Sequence, residues 1–322
     1  VEGPKVAWNY AAWGNPNAAQ WTIIRNLSTF LDERTDGQFK MNIHYGQLAK
    51  PNAILDGIQV GAFQGGTILS AYYPGKLTAT SGLDLPFLPI HSMEQFAEVT
   101  DAYMTLEPVK AEFDRSNAQY YMSILVPLFE VIGKGDAPQE LADWQGLRLR
   151  LLGTHGEAME KIGAVARPMP GARTYGAMDR GELDGVTMPH TAFLSYNLQE
   201  VGDWYTSNLR LGTANAVMAF NKDAYAALPD QYKALMDEYR SLGYHEQITE
   251  IATEEAEAPA TYAAAGLTDV VLSDAQIEEL RSVAAHPVWD SWAETTTSRK
   301  VNGEELLNTI LSLLEESKDA GS

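Results

Sequence analysis

The 322 residues carry 43 acidic against 23 basic side chains, a net charge of -20, with 45% hydrophobic content and no cysteine. That balance disfavours nucleic acid and anionic membrane surfaces as partners, excludes disulfides and thiol chemistry, and supports a fully folded chain long enough for two domains. No stretch reaches the roughly 18 apolar residues that span a bilayer, and removal of a secretory leader would account for a start at Val1 rather than Met.

Residues 6–8 read as an opening strand, and the loop at 9–17 sets Tyr10 and Trp13 between turn residues. A helix over 18–34 places Trp21, Ile24, Leu27 and Leu31 on one stripe. Residues 39–44 alternate as a second strand, 52–60 form a short helix, and 66–70 form a buried strand followed by Tyr72, Tyr73 and Pro74. The segment GLDLPFLP at 82–89 is a Pro-punctuated apolar loop, and 93–113 is largely helical. The apolar run at 120–126 reads as a strand leaving the first domain. Residues 128–133 continue extended, with Glu130 between Phe129 and Val131, and a lone Glu in such a setting ordinarily turns outward to water.

The stretch 146–189 reads as three strands separated by two helices. In LRLRL at 147–151 apolar and basic residues alternate with period two, as in a strand with one face in a core. Thr154 and Glu157 have the spacing of a capping box. Strands alternating with helices imply a mainly parallel sheet, whose ligands lie beyond the carboxyl ends of the strands, and Arg150 stands near such an end. Residues 212–221 read as a strand returning to the first domain. A helix opening at Leu228-Pro229-Asp230 runs to about residue 258, roughly 30 residues or ~45 Å, long enough to serve both domains. A late strand at 270–272, helices from Asp274 and over 304–316, and a frayed end at 318–322 complete the chain. The resulting division is 1–123 with 213–250 as the first domain, 124–212 as the second, and 251–322 as helices packing across both.

Chemistry with a sequence signature is missing. The six histidines are scattered with no metal-ligand spacing, and no GxSxG, Walker-A or GxGxxG pattern occurs. No metal, cofactor or catalytic group is therefore expected, and an enzyme on this scaffold ranks below a binding protein.

Certain stretches, taken in order, resemble the periplasmic solute-binding subunits of tripartite ATP-independent (TRAP) transporters, the DctP type. They are Gly46-Gln47-Leu48, Gly57-Ile58-Gln59-Val60-Gly61, Leu85-Pro86-Phe87, WQGLRLR at 144–150, Pro168-Met169-Pro170, YGAMDRGELDG at 175–185, Phe220-Asn221-Lys222 and Leu228-Pro229. The resemblance implies an α/β, two-domain cleft binder of the periplasmic-binding-protein kind, with two mixed or parallel sheets and a long helix spanning both domains. It implies a monomer that closes on a small solute in the periplasm and docks to TRAP membrane subunits. It also makes Arg150 the clamp for a ligand carboxylate, a role suited to a planar, always charged guanidinium. Arg148 is assigned instead to a surface acid.

Two positions depart from the acid-binding members. Glu130 stands where many carry a second arginine, and Met188 stands where an Asn is common. An anion in place of a cation suggests that Glu130 meets a cationic ligand group, with Trp8, Tyr10, Trp13 and Tyr73 supplying aromatic faces beside Phe129 and Met188. The leading expectation is therefore an amine-bearing or zwitterionic solute, ethanolamine-like or betaine-like. The alternative is an organic acid, a mono- or dicarboxylate, held by Arg150.

Overall fold

The computed structural model describes residues 1–16 and 18–317, so the frayed end expected at 318–322 lies outside the described residues. Its strands are β1 (Val6–Ala12), β2 (Phe39–Tyr45), β3 (Gly65–Leu69), β4 (Ala118–Ile124), β5 (Glu130–Gly133), β6 (Arg148–Arg150), β7 (Val165–Ala166), β8 (Gly185–Met188), β9 (Trp204–Thr206), β10 (Ala216–Asn221) and β11 (Thr268–Val270). They form a five-stranded sheet in the order β2-β1-β3-β10-β4 and a six-stranded sheet in the order β11-β9-β5-β8-β6-β7. Both are mixed. In the first, β1 is parallel to β2 and β3 while β10 runs antiparallel to β3 and β4. In the second, β6 is parallel to β7 and β8, and β5 runs antiparallel to β8 and β9.

The opening strand extends through Ala12 and takes in most of the expected loop. Period-two alternation then turns Trp8, Tyr10 and Ala12 to one face, beneath the helix Thr22–Arg34 with its buried Ile23, Ile24, Leu27 and Leu31. The Trp8 ring packs on Phe39 and Phe220 at 5.0 and 5.1 Å, and the Tyr10 hydroxyl lies 3.0 Å from that of Thr67. Trp8 and Tyr10 are thus core residues rather than aromatic faces for a ligand.

The chain passes between the sheets after Ile124 and again before Ala216. The two passing segments bond to each other, Phe129 N–H to Gly212 O at 2.7 Å and Leu211 N–H to Phe129 O at 2.9 Å. The apolar loop at 82–89 bridges the same region: its Phe87, at φ 56°, leaves the first sheet and packs in the core beneath the second with Trp144 and Leu149.

The long helix runs Asp230–Ala265, 36 residues, through Pro259 and past the expected stop near residue 258. Its first half buries Tyr232, Leu235, Met236 and Tyr239 under the first sheet, and its last turns bury Ala258 and Tyr262 under the second. That second anchorage holds the turn beyond the proline. Gly266, at φ 84°, ends it in the left-handed conformation that a residue without Cβ adopts readily. The helix His286–Ser298 reaches back to the bridging region through Trp289 Nε1–H to Pro86 O (2.8 Å) and Trp292 Nε1–H to Thr78 O (3.0 Å). The helix Gly303–Glu316 packs on Met93–Met104, with Gln95 Nε2–H to Leu314 O at 2.6 Å.

Candidate functional site

A cavity of about 690 Å³ lies between the two sheets. The first sheet's side contributes Trp13, Trp21, Leu69 and Tyr72, and the second contributes Arg150, Pro170, Met188 and Tyr196. The segments passing between them add Val126, Phe129 and Thr213, and Trp292 closes one side.

Arg150 is the only lysine or arginine among the described residues of that wall. It and Arg148 share a face of β6, two residues apart. Arg148 sits half-exposed and grips Asp184 through Nε at 2.8 Å and Nη2 at 2.5 Å, the surface pairing expected of it. Arg150 is 6% exposed and donates to two carbonyls, Nε to Met169 O (3.1 Å) and Nη1 to Thr187 O (3.2 Å). Among the described residues no carboxylate lies within ion-pair distance of it, and Nη2 has no protein acceptor. Burial pulls its pKa down, opposed by the nearby Tyr72 and Tyr196 phenols. Burial in turn raises both phenols against the pull of Arg150. One phenol comes from each side of the cavity, and neither hydroxyl has a hydrogen-bond partner among the described residues.

Asp84, also in the wall, accepts from Ser70 Oγ and from the Asn215 N–H, and burial pushes its carboxyl up to about 7. His155 packs edge-on against Phe129 at 5.0 Å, and burial together with Arg150 brings its imidazole down to about 4. The helix bearing it begins at Gly153, one residue ahead of the expected cap. The Thr154 hydroxyl goes to Asp84 O instead of forming the capping box with Glu157.

The structure brings together Arg150, Trp13, Phe129 and Met188 but not the other residues singled out in the sequence. Trp8 and Tyr10 are in the core of the first sheet. Tyr73 is 4% exposed, its hydroxyl held between Pro51 O (2.5 Å) and Leu55 N–H (3.1 Å), and the neighbouring Tyr72 faces the cavity in its place.

Glu130 neither turns to water nor faces the cavity. It is 3% exposed and accepts three bonds, from Thr206 Oγ1 (2.6 Å), Leu209 N–H (2.9 Å) and Arg210 N–H (3.0 Å). Its carboxylate organises the turn after β9 and has no contact with Arg150. Trp21, expected purely as core, lines the cavity at 4.8 Å from Trp13. Tyr72, His155, Tyr196 and Trp292 carry no sequence signal that marks them, because their shared wall comes from segments 72 to 292.

The DctP family profile, described as bacterial extracellular solute-binding protein family 7, matches residues 12–295. The chain belongs to this family. As a DctP-family protein it binds a small solute in the periplasm for the membrane subunits of a TRAP transporter. No helix of the described residues is long and apolar enough to cross a membrane. One similar structure is a TRAP solute-binding protein from an unidentified marine microbe, specific for aromatic acid ligands. It has a TM-score of 0.87 at 21% identity, covering 98% of this chain and 100% of the other. The ectoine-binding protein of the TeaABC TRAP transporter of Halomonas elongata gives 0.84 at 20% identity over 96% and 99%. A monocarboxylate 2-oxoacid-binding periplasmic protein of Nostoc is 25% identical over 187 residues, 56% of this chain but only half of that relative. This DctP-family chain shares its two-sheet fold with the two solved proteins.

Proposed function

We propose that the protein captures a small monocarboxylate with an apolar, ring-sized body. The carboxylate is held by Arg150 and the phenols of Tyr72 and Tyr196, and the body lies among Trp13, Phe129, Met188 and Trp292. The observation that carries this is the buried Arg150 without a carboxylate partner. A buried, unpaired charge is costly, and an anionic ligand relieves that cost while forming charge-assisted hydrogen bonds. A single guanidinium suits one carboxylate better than two. The acid-binding relatives from the marine microbe and Nostoc support the reading.

The amine reading loses the acid on which it rested, since Glu130 lies outside the wall. A zwitterion remains the second reading: Trp13, set edge-on to Trp21 and Tyr72 at 4.8 and 5.6 Å, offers an aromatic corner to a cation while Arg150 keeps the carboxylate. A thermal-shift panel of benzoate, phenylacetate, 2-oxo acids, dicarboxylates, betaine and ethanolamine distinguishes these. A ligand at 100 times its dissociation constant adds ~2.7 kcal/mol of stability. Monocarboxylates are expected to give the largest shifts; a panel in which only ethanolamine moves the transition would sink the carboxylate reading.

The two sheets with their packed helices are expected to close on the ligand about the segments that pass between them. Asn15 Nδ2–H already donates to Ser195 O across the cleft at 3.2 Å. X-ray scattering should show a smaller radius of gyration with saturating benzoate or phenylacetate, whichever binds in the panel, and identical profiles with and without it would count against closure.

A further inference from the structure

Arg150 is held by more than the two carbonyls it donates to. Thr187, in β8, is 1% exposed and is not part of the cavity wall. Its hydroxyl donates to the Arg150 main-chain carbonyl at 2.8 Å, while its own carbonyl accepts from Arg150 Nη1 at 3.2 Å. The two residues therefore bond to each other twice, and the ring so closed ties the far end of the long side chain to its own main chain. That main chain needs holding, because Arg150 is the last residue of β6 before the chain turns into the helix Gly153–Lys161. Thr187 is a firm anchor for it: β8 lies between β6 and β5, with Thr187 opposite Val131 of β5 and Val186 opposite Arg150.

A second pin comes from Pro168-Met169-Pro170. Met169 O accepts from Arg150 Nε at 3.1 Å. A proline fixes its own φ and pushes the residue before it toward extended backbone, so Met169, between two prolines, has little freedom to turn its carbonyl. Both prolines are exposed, and the direction of that carbonyl is set by the local chain rather than by burial of the rings.

A guanidinium is planar and carries five N–H groups. Bonds at Nε and Nη1 fix its plane and its rotation, and Nη2 is left without a protein acceptor among the described residues. An arginine side chain ordered only on binding loses rotamer freedom at that moment and weakens the complex accordingly. We propose that Thr187 and the Pro168-Met169-Pro170 segment are positioning residues that orient the Arg150 fork before ligand arrives, so that affinity for a carboxylate depends on a hydroxyl that bonds only to the protein. The inference rests on the carboxylate reading, since an oriented fork has a role only if it meets an anion.

The test is titration calorimetry of the full chain with whichever of benzoate, phenylacetate and pyruvate binds the wild type most tightly. Thr187→Val, which keeps the branched shape and removes the hydroxyl, should weaken binding about five- to tenfold, the scale of one hydrogen bond. Thr187→Ser should stay within about twofold of wild type. A merely structural threonine would lower the melting temperature and leave the affinity of the folded protein unchanged. Made in Arg150→Lys, which has no fork to orient, the valine substitution should weaken binding by less than about twofold further, because both changes act through one group. Side-chain nitrogen NMR of the ligand-free wild type gives a reading that does not depend on any Thr187 variant folding. The two Nη groups of Arg150, assigned by their loss in Arg150→Lys, should give separate signals, as in a fork that does not turn. A single averaged signal, a Thr187→Val variant that binds within about twofold of wild type, or an equally large loss in the Arg150→Lys background overturns the positioning role and leaves the carboxylate reading standing. Failure of all three acids to bind the wild type overturns that reading, and the inference with it.

Discussion

Arg150→Met is expected to weaken carboxylate binding by about 3 to 4 kcal/mol, roughly 100- to 1,000-fold, while the melting temperature of the ligand-free protein moves by only about 3 °C. The asymmetry follows from the environment. In the free protein the guanidinium is buried, donates to the Met169 and Thr187 carbonyls and has no anion beside it. Replacing it with an apolar side chain of similar length removes the desolvation cost of the charge and, in exchange, leaves two carbonyls short of a donor, so the two effects largely offset each other. In the complex no such compensation exists, because the ligand's charge would be buried without its counter-ion. Arg150→Lys should lose less, about tenfold, since it keeps the charge but not the planar two-donor fork. Calorimetric titration paired with a melting curve checks both halves, and an Arg150→Met variant that binds carboxylates like the wild type would remove the proposed clamp.

Glu130→Ala should show the opposite pattern: a loss of about 3 kcal/mol, or about 4 °C in melting temperature, with affinity of the folded protein for a carboxylate changed by less than about threefold. Three donors, from Thr206, Leu209 and Arg210, would lose their acceptor inside the protein. The residue also makes stability depend on pH. Burial, the dominant influence, pushes the Glu130 carboxyl from its ordinary 4.5 up to about 8, against the pull of those donors. Between these two values the folded chain holds a proton that the unfolded chain has released. Its contribution is therefore fully present below about 4.5, declines as pH rises, and is lost above about 8. Asp84 and Glu255, each raised to about 7 chiefly by burial, slope the same way. Denaturant titrations across this range should show stability falling with pH in the wild type and falling less steeply in Glu130→Gln. If Glu130→Ala instead melted like the wild type and lost ligand binding, the residue would belong at the ligand after all.

Arg150 could be read in the chain because its signal is local. Two basic residues alternating with leucines announce a strand, a following helix places the strand's carboxyl end at a cleft, and guanidinium chemistry suggests the ligand group. The pairing of Arg148 with an acid was legible for the same reason. Tyr72 and Tyr73 differ in a way that no local signal carries. Two adjacent tyrosines after a buried strand are equivalent in sequence, and a short 3-10 turn at Ser70–Tyr72 sends one to the cavity and the other to Pro51. Tyr10 was misplaced because strand β1 runs four residues further than its apolar opening suggested, and Trp8, inside the expected strand, shares with it the buried face to which every second side chain returns.

Sequence alone determined the α/β class, the two-sheet plan, the long helix, the family and the place of Arg150 near a strand end, because each depends on periodicity or on ordered short motifs along the chain. Tertiary structure alone decided what surrounds the arginine. Glu130 is twenty residues from Arg150, close enough in sequence to suggest a shared pocket, yet its strand turns the carboxylate to the loop after β9, where three donors meet it. His155, Tyr196 and Trp292 face the same space only because two sheets and a C-terminal helix converge there. Which way a buried side chain points is fixed by register and by the donors around it, and both arise from contacts between segments far apart in the chain.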